Sequence, residues 1–280
     1  MRNIDADLIA KAVRDLFLTI NREISPDIRR CVEDACRAET SPQARYALEQ
    51  IVANYDVAGQ DALPLCQDTG MAVVFAEIGQ DVHINGDFEA AVDRGVREAY
   101  SEGSFRCSVV KDPVFDRENT RDNCPAIVHV RLTQGESIRL TAIAKGFGSE
   151  NMSRIHMLSP AYGAEGVLRA IVDTVREAGP NPCPPVIVGV GVGGDFEQAA
   201  LLAKLATARP VGVHHEDKRY SDLEARALKE INALGIGAAG LYGRTTALWV
   251  AVEHAPTHIA GLPVAVNICC HASRHKRITL

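Results

Sequence analysis

The sequence has 280 residues, of which 46% are hydrophobic and 24% are charged, as is typical of a soluble globular protein with a buried core. The formal net charge is −6 and no block of basic residues is present, which excludes a nucleic-acid-binding function, because phosphate recognition needs clustered Lys and Arg. The N-terminus lacks the apolar core of a signal peptide, and no apolar run is long enough to cross a bilayer. We therefore expect a cytoplasmic protein that does not bind membranes. In that reducing compartment, eight cysteines indicate metal binding, catalysis or packing rather than disulfides.

Three helices are predicted in the first sixty residues. Apolar residues from Leu8 to Ile20 recur at helical spacing. Ser25 and Ser41 are each followed by proline, and this pair of an N-cap residue and a first-turn proline is typical of a helix start. The pattern predicts a helical N-terminal lobe over about residues 1–60.

The rest of the chain alternates apolar runs of strand length with helical patterns. Strands are predicted at Met71 to Ile78, Ile127 to Leu132, Ile138 to Ala144 and Val186 to Val192. The C-terminal part alternates Gly-rich turns with two apolar runs, Ala247 to Val252 and Leu262 to Ile268. Helices are predicted at Phe88 to Tyr100, Glu165 to Ala178, Phe196 to Ala206 and Ser221 to Leu234, the last with Ser221 as its cap. The second and third strands are expected to pair around the turn at residues 133–136. We therefore predict an α/β fold, a single mixed α/β domain over residues 1–280 whose α/β body begins at about residue 61.

Two cysteines lie in loops that contain proline. Cys66 lies in the segment Leu-Pro-Leu-Cys-Gln-Asp-Thr-Gly of residues 63–70, and Cys183 lies in Asn-Pro-Cys-Pro-Pro of residues 181–185. Such stiff loops can fix a thiolate beside a metal, because the backbone cannot rearrange around it. Each cysteine could instead pack at the start of the strand that follows. Sequence alone leaves both readings open for Cys66 and favours the metal for Cys183.

A third segment combines histidines with adjacent cysteines. His254 and His258 flank a proline, and Cys269-Cys270-His271 follows the last apolar run. Successive side chains of an extended segment point in opposite directions, so one cysteine is expected to be a ligand and the other to pack in the core. No pair of cysteines has the C-x-x-C spacing of a zinc ribbon or a redox dithiol. A metal site built from these residues would need one ligand from each loop.

Two glycine-rich segments have other interpretations. Residues 189–194, Gly-Val-Gly-Val-Gly-Gly, satisfy the dinucleotide pattern, but the segment after them is a poor second strand. We favour the interpretation that these glycines let a strand and a helix approach closely, with the helix N-terminus available to bind an anion. Residues 145–151 lack the phosphate-loop pattern, yet their backbone N–H groups with Ser149 and Asn151 would suit a carboxylate. Arg106 could clamp a carboxylate with two hydrogen bonds or be a solvated surface residue.

Together these segments, in their order from residue 63 to 274, resemble the α subunit, or N-terminal domain, of class I fumarases and L-tartrate dehydratases. The resemblance implies a [4Fe–4S] cluster bound by Cys66, Cys183 and Cys270. It favours Cys270 over Cys269 because the family's cysteine lies twelve residues after the histidine that matches His258. One iron without a protein ligand would act as a Lewis acid on the substrate's hydroxyl and carboxylate.

The same resemblance implies which residues bind a small dicarboxylate substrate. They are Gln67, Asp68, Arg106, Gly146, Ser149, Asn151 and His258. Single-chain members continue into a further domain that supplies the catalytic base, whereas this sequence stops at Leu280. We therefore expect no catalytic base on this chain, a separate β subunit that carries the base, and an α2β2 or similar oligomer.

The implied function is a class I fumarate hydratase of the tricarboxylic acid cycle, which interconverts fumarate and (S)-malate. An L(+)-tartrate dehydratase or a related hydroxy-dicarboxylate dehydratase is the alternative, and no residue of the sequence separates the two. Two functions of other classes remain open at this point. One is an iron–sulfur sensor without catalysis, and the other is a nicotinamide-dependent dehydrogenase that uses residues 189–194.

Overall fold

The structure, a computed structural model, describes all residues from Met1 to Leu280 and confirms the α/β class. Its α-helices are α1 (Ala6–Arg22), α2 (Pro26–Ala38), α3 (Pro42–Asp61), α4 (Phe88–Glu102), α5 (Phe147–Glu150), α6 (Gly163–Ala178), α7 (Phe196–Ala206) and α8 (Lys218–Ala233). Its strands are β1 (Arg2–Asp5), β2 (Met71–Gly79), β3 (Val82–Asn85), β4 (Ile127–Thr133), β5 (Ile138–Lys145), β6 (Arg154–Leu158), β7 (Val186–Gly194), β8 (Ala247–Thr257), β9 (Leu262–Cys269) and β10 (Arg274–Thr279). No helix is both long and apolar enough to span a membrane.

The chain forms two compact units, and the first comprises residues 1–25, 55–147 and 274–280. Its main sheet has the strand order β10-β5-β2-β4, and β1 and β3 form a separate parallel pair. The apolar faces of α1 and α4 pack on β2 and β5 and form the core. This arrangement follows from the helical spacing of the apolar residues in α1, which leaves one face of that helix buried.

The predicted pairing of β4 with β5 is wrong, although both strands are present. β2 lies between them, parallel to β4 and antiparallel to β5. The core of β2 is buried on both faces, so a central position covers its apolar side chains, whereas β4 is largely exposed and forms an edge. The turn at residues 133–136 instead accepts hydrogen bonds from the backbone N–H groups of Gln80 and Asp81, which follow β2.

The second unit comprises residues 26–54 and 148–273. Its sheet has the order β6-β9-β7-β8, in which β7 and β8 are parallel and β9 is antiparallel to β6 and β7. Helices α6 and α8 cover one face and bury the alternate valines of β7 together with Val264, Val266 and Ile268 of β9. Helix α7 packs on the other face, where Ala199 and Ala203 contact Ala265.

The glycine-rich residues 189–194 form the second half of β7 and not a loop between a strand and a helix. A Cβ atom added to Gly189 would lie 2.2 Å from the carbonyl oxygen of Ala203, and one added to Gly191 would lie 2.0 Å from that of Ala199. Both oxygens belong to α7. The predicted close approach of strand and helix is therefore confirmed. The N-terminus of α7 is capped by Asp195, whose side chain accepts a hydrogen bond from the backbone N–H of Gln198.

Two further boundaries differ from the sequence-based predictions. Helix α8 begins at Lys218 with Asp217 as its N-cap, because the Asp217 carboxylate accepts a hydrogen bond from the Arg219 N–H at 2.9 Å, and Ser221 lies in the first turn. Four strands, β1, β3, β6 and β10, were not predicted, since they are short and mix polar with apolar residues. Apart from β1 and two short connections, the first sixty residues are helical as predicted, and they contribute to both units. The single domain over residues 1–280 stays a prediction.

Candidate active site

The loop that carries Cys66 connects α3 to β2 in the first unit and is held at both ends. The Leu65 N–H donates to the Asn21 carbonyl oxygen at 2.7 Å. The hydroxyl of buried Tyr100 lies 2.7 Å from the carbonyl oxygen of Thr69 and 2.8 Å from that of Gly70. Burial raises the pKa of the Tyr100 phenol far above its usual value, so the hydroxyl keeps the proton that it donates. Helices α1 and α4 thus fix the loop, and the Cys66 side chain is half-buried.

Several predicted substrate residues of the first unit are joined by short contacts to this loop. One oxygen of the Asp68 carboxylate accepts the Gly70 N–H at 3.0 Å, and the other accepts the Phe147 N–H at 2.8 Å. The Thr69 hydroxyl donates to the Arg106 carbonyl oxygen at 2.8 Å. These contacts bring Gln67 and Asp68 together with the backbone of Arg106 and with Gly146, which precedes Phe147. The Gln67 and Arg106 side chains are exposed.

Sequence reasoning missed two buried polar residues beside this loop. Arg274, on β10, is 2% exposed, and its Nη1 donates to the Oδ1 of fully buried Asn21 at 3.0 Å. A Cβ atom added to Gly146 would lie 3.3 Å from the Arg274 Nη2 atom, so this arginine borders the predicted substrate residues. Asn21 and Arg274 are 253 residues apart in sequence, and no local sequence pattern predicts their contact.

In the second unit, the sheet register places Cys183 and Cys270 at the same end of two adjacent strands, β7 and β9. Ile187 at the start of β7 pairs with Cys269 at the end of β9. Cys183 lies three residues before β7, and Cys270 directly follows β9. Cys183 is exposed and has a positive φ of 55°, while Cys270 is half-buried and Cys269 is only 3% exposed within the sheet. The prediction that one of the adjacent cysteines packs in the core is therefore confirmed for Cys269, and the role of Cys270 as a ligand stays a prediction.

His258 lies at the opposite end of β9 from Cys270. It belongs to the turn between β8 and β9, and the eight residues of β9 span roughly 26 Å at the usual rise per residue. The second unit therefore does not bring His258 to Cys183 and Cys270. His258 instead lines a cavity of about 500 Å³ at the carboxyl ends of β7 and β8, with an apolar wall that includes Val167, Val192, Leu223 and Leu262.

The turn with Ser149 and Asn151 is fixed through Glu150, which lies between them. The Glu150 carboxylate forms an ion pair with Lys204 of α7 and accepts a hydrogen bond from the Asn267 Nδ2 at 2.9 Å. Ser149 is 4% exposed and Asn151 is exposed. Asn267, itself 6% exposed, is a third residue that sequence reasoning missed, although one asparagine within the apolar run of β9 was a usable signal.

Burial raises the thiol pKa of four of the eight cysteines. It raises the pKa of the Cys31 thiol to about 11 and that of Cys124 to about 12. Burial also raises the thiol pKa of Cys36 and Cys107, and Cys269 is enclosed by the sheet. Metals bind the thiolate form, which a raised pKa disfavours. Of the three predicted ligands, Cys183 is exposed, and Cys66 and Cys270 are half-buried, as Cys31, Cys36 and Cys107 also are.

The donor chemistry of these three residues fits an iron–sulfur cluster, because thiolates are its usual protein ligands and two of the three lie in proline-containing loops. In the structure, no group of three or more His, Cys, Asp or Glu side chains is arranged to hold a metal ion. The agreement between these residues and an iron–sulfur cluster therefore lies in the type and accessibility of the donor atoms, and not in their arrangement.

We expect Cys183 to be alkylated much faster than Cys124 when the metal-free native protein is treated with iodoacetamide at pH 8. A thiol with a pKa of about 12 is ionised in only about one molecule in ten thousand at that pH, and Cys124 is also buried, whereas Cys183 is exposed. Peptide mass spectrometry over a time course measures both rates. Equal labelling of the two cysteines would contradict this prediction.

The sequence model of the family described as "Fumarate hydratase (Fumerase)" matches residues 10–279. The chain belongs to this family. A "Putative L(+)-tartrate dehydratase subunit alpha" of Methanocaldococcus jannaschii is 37% identical, with 97% of this chain and 98% of that protein covered. The "L(+)-tartrate dehydratase subunit alpha" of Escherichia coli K12 is 29% identical, with 97% and 90% covered. The predicted resemblance and the hydro-lyase class of enzyme are thereby confirmed.

Proposed function

We propose that this chain is the α subunit of a [4Fe–4S]-dependent fumarate hydratase, which adds water to fumarate to form (S)-malate and catalyses the reverse reaction. The family match over residues 10–279 supports the reaction class. The register of β7 and β9 places Cys183 and Cys270 at the same end of these two strands, and this observation is the main support for the proposed metal centre. L(+)-tartrate dehydration is the second candidate, favoured by the names of the two relatives above.

Cys66, Cys183 and Cys270 would hold the cluster. When bound, a cluster with one iron that lacks a protein ligand supplies a Lewis acid for the substrate's hydroxyl and carboxylate. The protein's own residues would bind and orient the dicarboxylate. The exposed Arg106 guanidinium can donate two parallel hydrogen bonds to a carboxylate, and Asp68 is oriented by the two backbone N–H groups that it accepts.

The remaining substrate contacts are proposed on the turn that Glu150 anchors. Lys204 and Asn267 hold the Glu150 carboxylate from α7 and β9, so the neighbouring Ser149 and Asn151 keep a fixed position without a substrate. Such preorganisation lowers the cost of orienting the substrate. Gln67 and Gly146 complete the proposed set, whereas His258, at the other end of β9 from Cys270, is not part of it.

A second subunit completes the proposed enzyme. Both relatives are named as α subunits, which supports a β partner for this chain. We propose that the β subunit supplies the catalytic base, that the two chains form an α2β2 or similar oligomer, and that the enzyme acts in the cytoplasm, in the tricarboxylic acid cycle if fumarate is the substrate.

Steady-state kinetics of the anaerobically purified αβ pair test the function and the substrate. We expect only the cluster-loaded pair to act on fumarate or L(+)-tartrate. The kcat/KM for the preferred substrate should exceed that for the other by about 100-fold, because a site that forms hydrogen bonds with a substrate hydroxyl discriminates strongly between substrates. The pair treated with a chelator and an oxidant is the control. A fully loaded pair that acts on neither dicarboxylate would contradict the proposal and favour the sensor. Binding of a nicotinamide cofactor would favour the dehydrogenase.

A further inference from the structure

In the first unit, residues 109–120 fold back on themselves as a short hairpin. The Thr120 N–H donates to the Val109 carbonyl oxygen at 2.9 Å, and an antiparallel backbone bridge joins Val110 to Asn119. Val109 is 8% exposed, so the base of the hairpin belongs to the packed body of the unit. The base is thus closed by backbone contacts.

A buried asparagine fixes this base to the loop that carries Cys66. Asn123 is fully buried, and its Nδ2 donates to the Gly70 carbonyl oxygen at 3.1 Å. Its Oδ1 accepts the Ser108 N–H at 2.8 Å. A buried amide that lost either partner would be left with an unsatisfied polar atom, which is costly. The hairpin therefore keeps a fixed position relative to the Cys66 loop.

The tip of the hairpin, residues 113–117, is ordered by its own polar contacts. Asp112 accepts the backbone N–H of Phe115 and, at 2.9 Å, that of Val114. These two N–H groups hold the pKa of the Asp112 carboxyl below its ordinary value, so the carboxylate stays ionised and keeps both bonds. The Arg117 guanidinium donates back to the carbonyl oxygen of Pro113. A tip ordered in this way loses little conformational entropy when a partner binds it.

This ordered tip presents apolar side chains to solvent. Phe115 is 85% exposed, more than any other Phe, Tyr or Trp of the chain, and Val114 beside it is 67% exposed. The charged residues around them, Lys111, Asp116 and Glu118, are exposed and carry both signs. An aromatic anchor within a polar rim is the usual composition of a binding hot spot.

We propose that the tip, with Phe115 as its anchor, is a docking element for the β subunit. This inference rests on the proposed function, which assigns the catalytic base to that second chain. The hairpin directly follows Arg106 and is fixed to the Cys66 loop. A β subunit that binds the tip therefore lies within the length of one short hairpin of the proposed substrate residues, where its base is needed.

A second copy of this chain is the less favoured occupant of the tip. A stable interface buries about 800 Å² on each partner. Two tips that met on a twofold axis would contribute two apolar side chains each, which is far less area. A projecting tip instead suits a partner of different shape, with a groove that surrounds Phe115.

The test measures assembly and not turnover. The dissociation constant of the cluster-loaded chain for the β subunit is determined by anaerobic titration calorimetry for wild type, Phe115→Ala and Asp112→Ala. Phe196→Ala is the matched control, because Phe196 is also exposed, at 60%, and the chemical change is identical. Melting temperature and sedimentation velocity of each chain without β monitor folding and self-association.

We expect Phe115→Ala to raise the dissociation constant by about 10- to 100-fold, the range for an aromatic anchor. Asp112→Ala should raise it by about 3- to 10-fold, since the apolar side chains remain and only their ordering is lost. Phe196→Ala should bind β like wild type. All three variants should keep the wild-type melting temperature, because the two aromatic side chains are exposed and Asp112 contacts only the tip.

Unchanged binding in Phe115→Ala, equal weakening in Phe196→Ala, or a wild-type chain that binds no β subunit would each overturn the proposal. Self-association of the wild-type chain that is lost in Phe115→Ala would assign the tip to a second copy and would also overturn it. The proposed function fails separately: a wild-type pair that assembles through Phe115 but hydrates no dicarboxylate would refute the function and leave the docking element standing.

Discussion

The Cys183→Ser protein should contain no iron–sulfur cluster and should lose activity by about a thousandfold or more. Serine cannot supply the thiolate that iron prefers, and Cys183 is the one cysteine that is exposed. Loss of a Lewis acid removes several kcal/mol of transition-state stabilisation, and each 1.4 kcal/mol is about a factor of ten. The measurements are visible absorbance and iron content after anaerobic reconstitution, followed by hydration assays with the β subunit. Cys66→Ser and Cys270→Ser should behave in the same way.

Cys269→Ser is the matched control for Cys270→Ser, since the residues are adjacent and the chemical change is identical. Cys269 is 3% exposed within the sheet, so the variant should keep its cluster and lose about 1–3 kcal/mol of stability from a buried hydroxyl. Cluster loss in Cys269→Ser with retention in Cys270→Ser would reverse the choice of ligand. A normal cluster content in Cys183→Ser would remove that residue from the ligand set.

Gly191→Ala should produce a large loss of stability in the second unit. The added Cβ atom would lie 2.0 Å from the Ala199 carbonyl oxygen, and that atom belongs to the backbone of α7, so no side chain can rotate away. Either the helix or the strand must move, and such overpacking typically costs about 1–3 kcal/mol or more. We expect a melting temperature lower by roughly 5 °C or more, measured by calorimetry of the purified chain.

Gly59→Ala is the control for this substitution. Gly59 is exposed on α3, and a Cβ atom there would have no neighbour within 4 Å. Alanine should therefore stabilise the helix by about 0.5–1 kcal/mol, because glycine loses more backbone entropy on folding. Equal melting temperatures for the two variants would show that α7 has more freedom than the close contact indicates.

Local sequence patterns were sufficient for most of the elements. The helical spacing of apolar residues located α1, and the predicted limits of α7 agree with the structure because Asp195 and the glycines before it mark its start. Ser25 and Ser41, each with its proline, located the starts of α2 and α3. These signals depend on residues that are close in sequence, and tertiary packing agrees with the local preferences at these positions, so the predictions succeeded.

Pairing and buried polar contacts depend on residues far apart in sequence. Nothing in β4 or β5 indicates that β2 will lie between them, because a strand's pattern specifies its faces and not its neighbours. The contact of Asn21 with Arg274 has no local signal for the same reason. The roles of Cys66, Cys183 and Cys270 came from the family resemblance, and spacing alone could not distinguish ligands from packed cysteines.

The antiparallel register of β7 and β9 has a consequence for insertions and deletions. The hydrogen-bond ladder from Ile187 to Val192 sets how far Cys183 lies from Cys270, since both flank the same end of the two strands. A gained or lost residue inside either strand would shift one sulfur along the ladder or turn its neighbours to the opposite face. The turn at residues 258–261 lies at the far end, so its length can change without altering the separation of the two sulfurs.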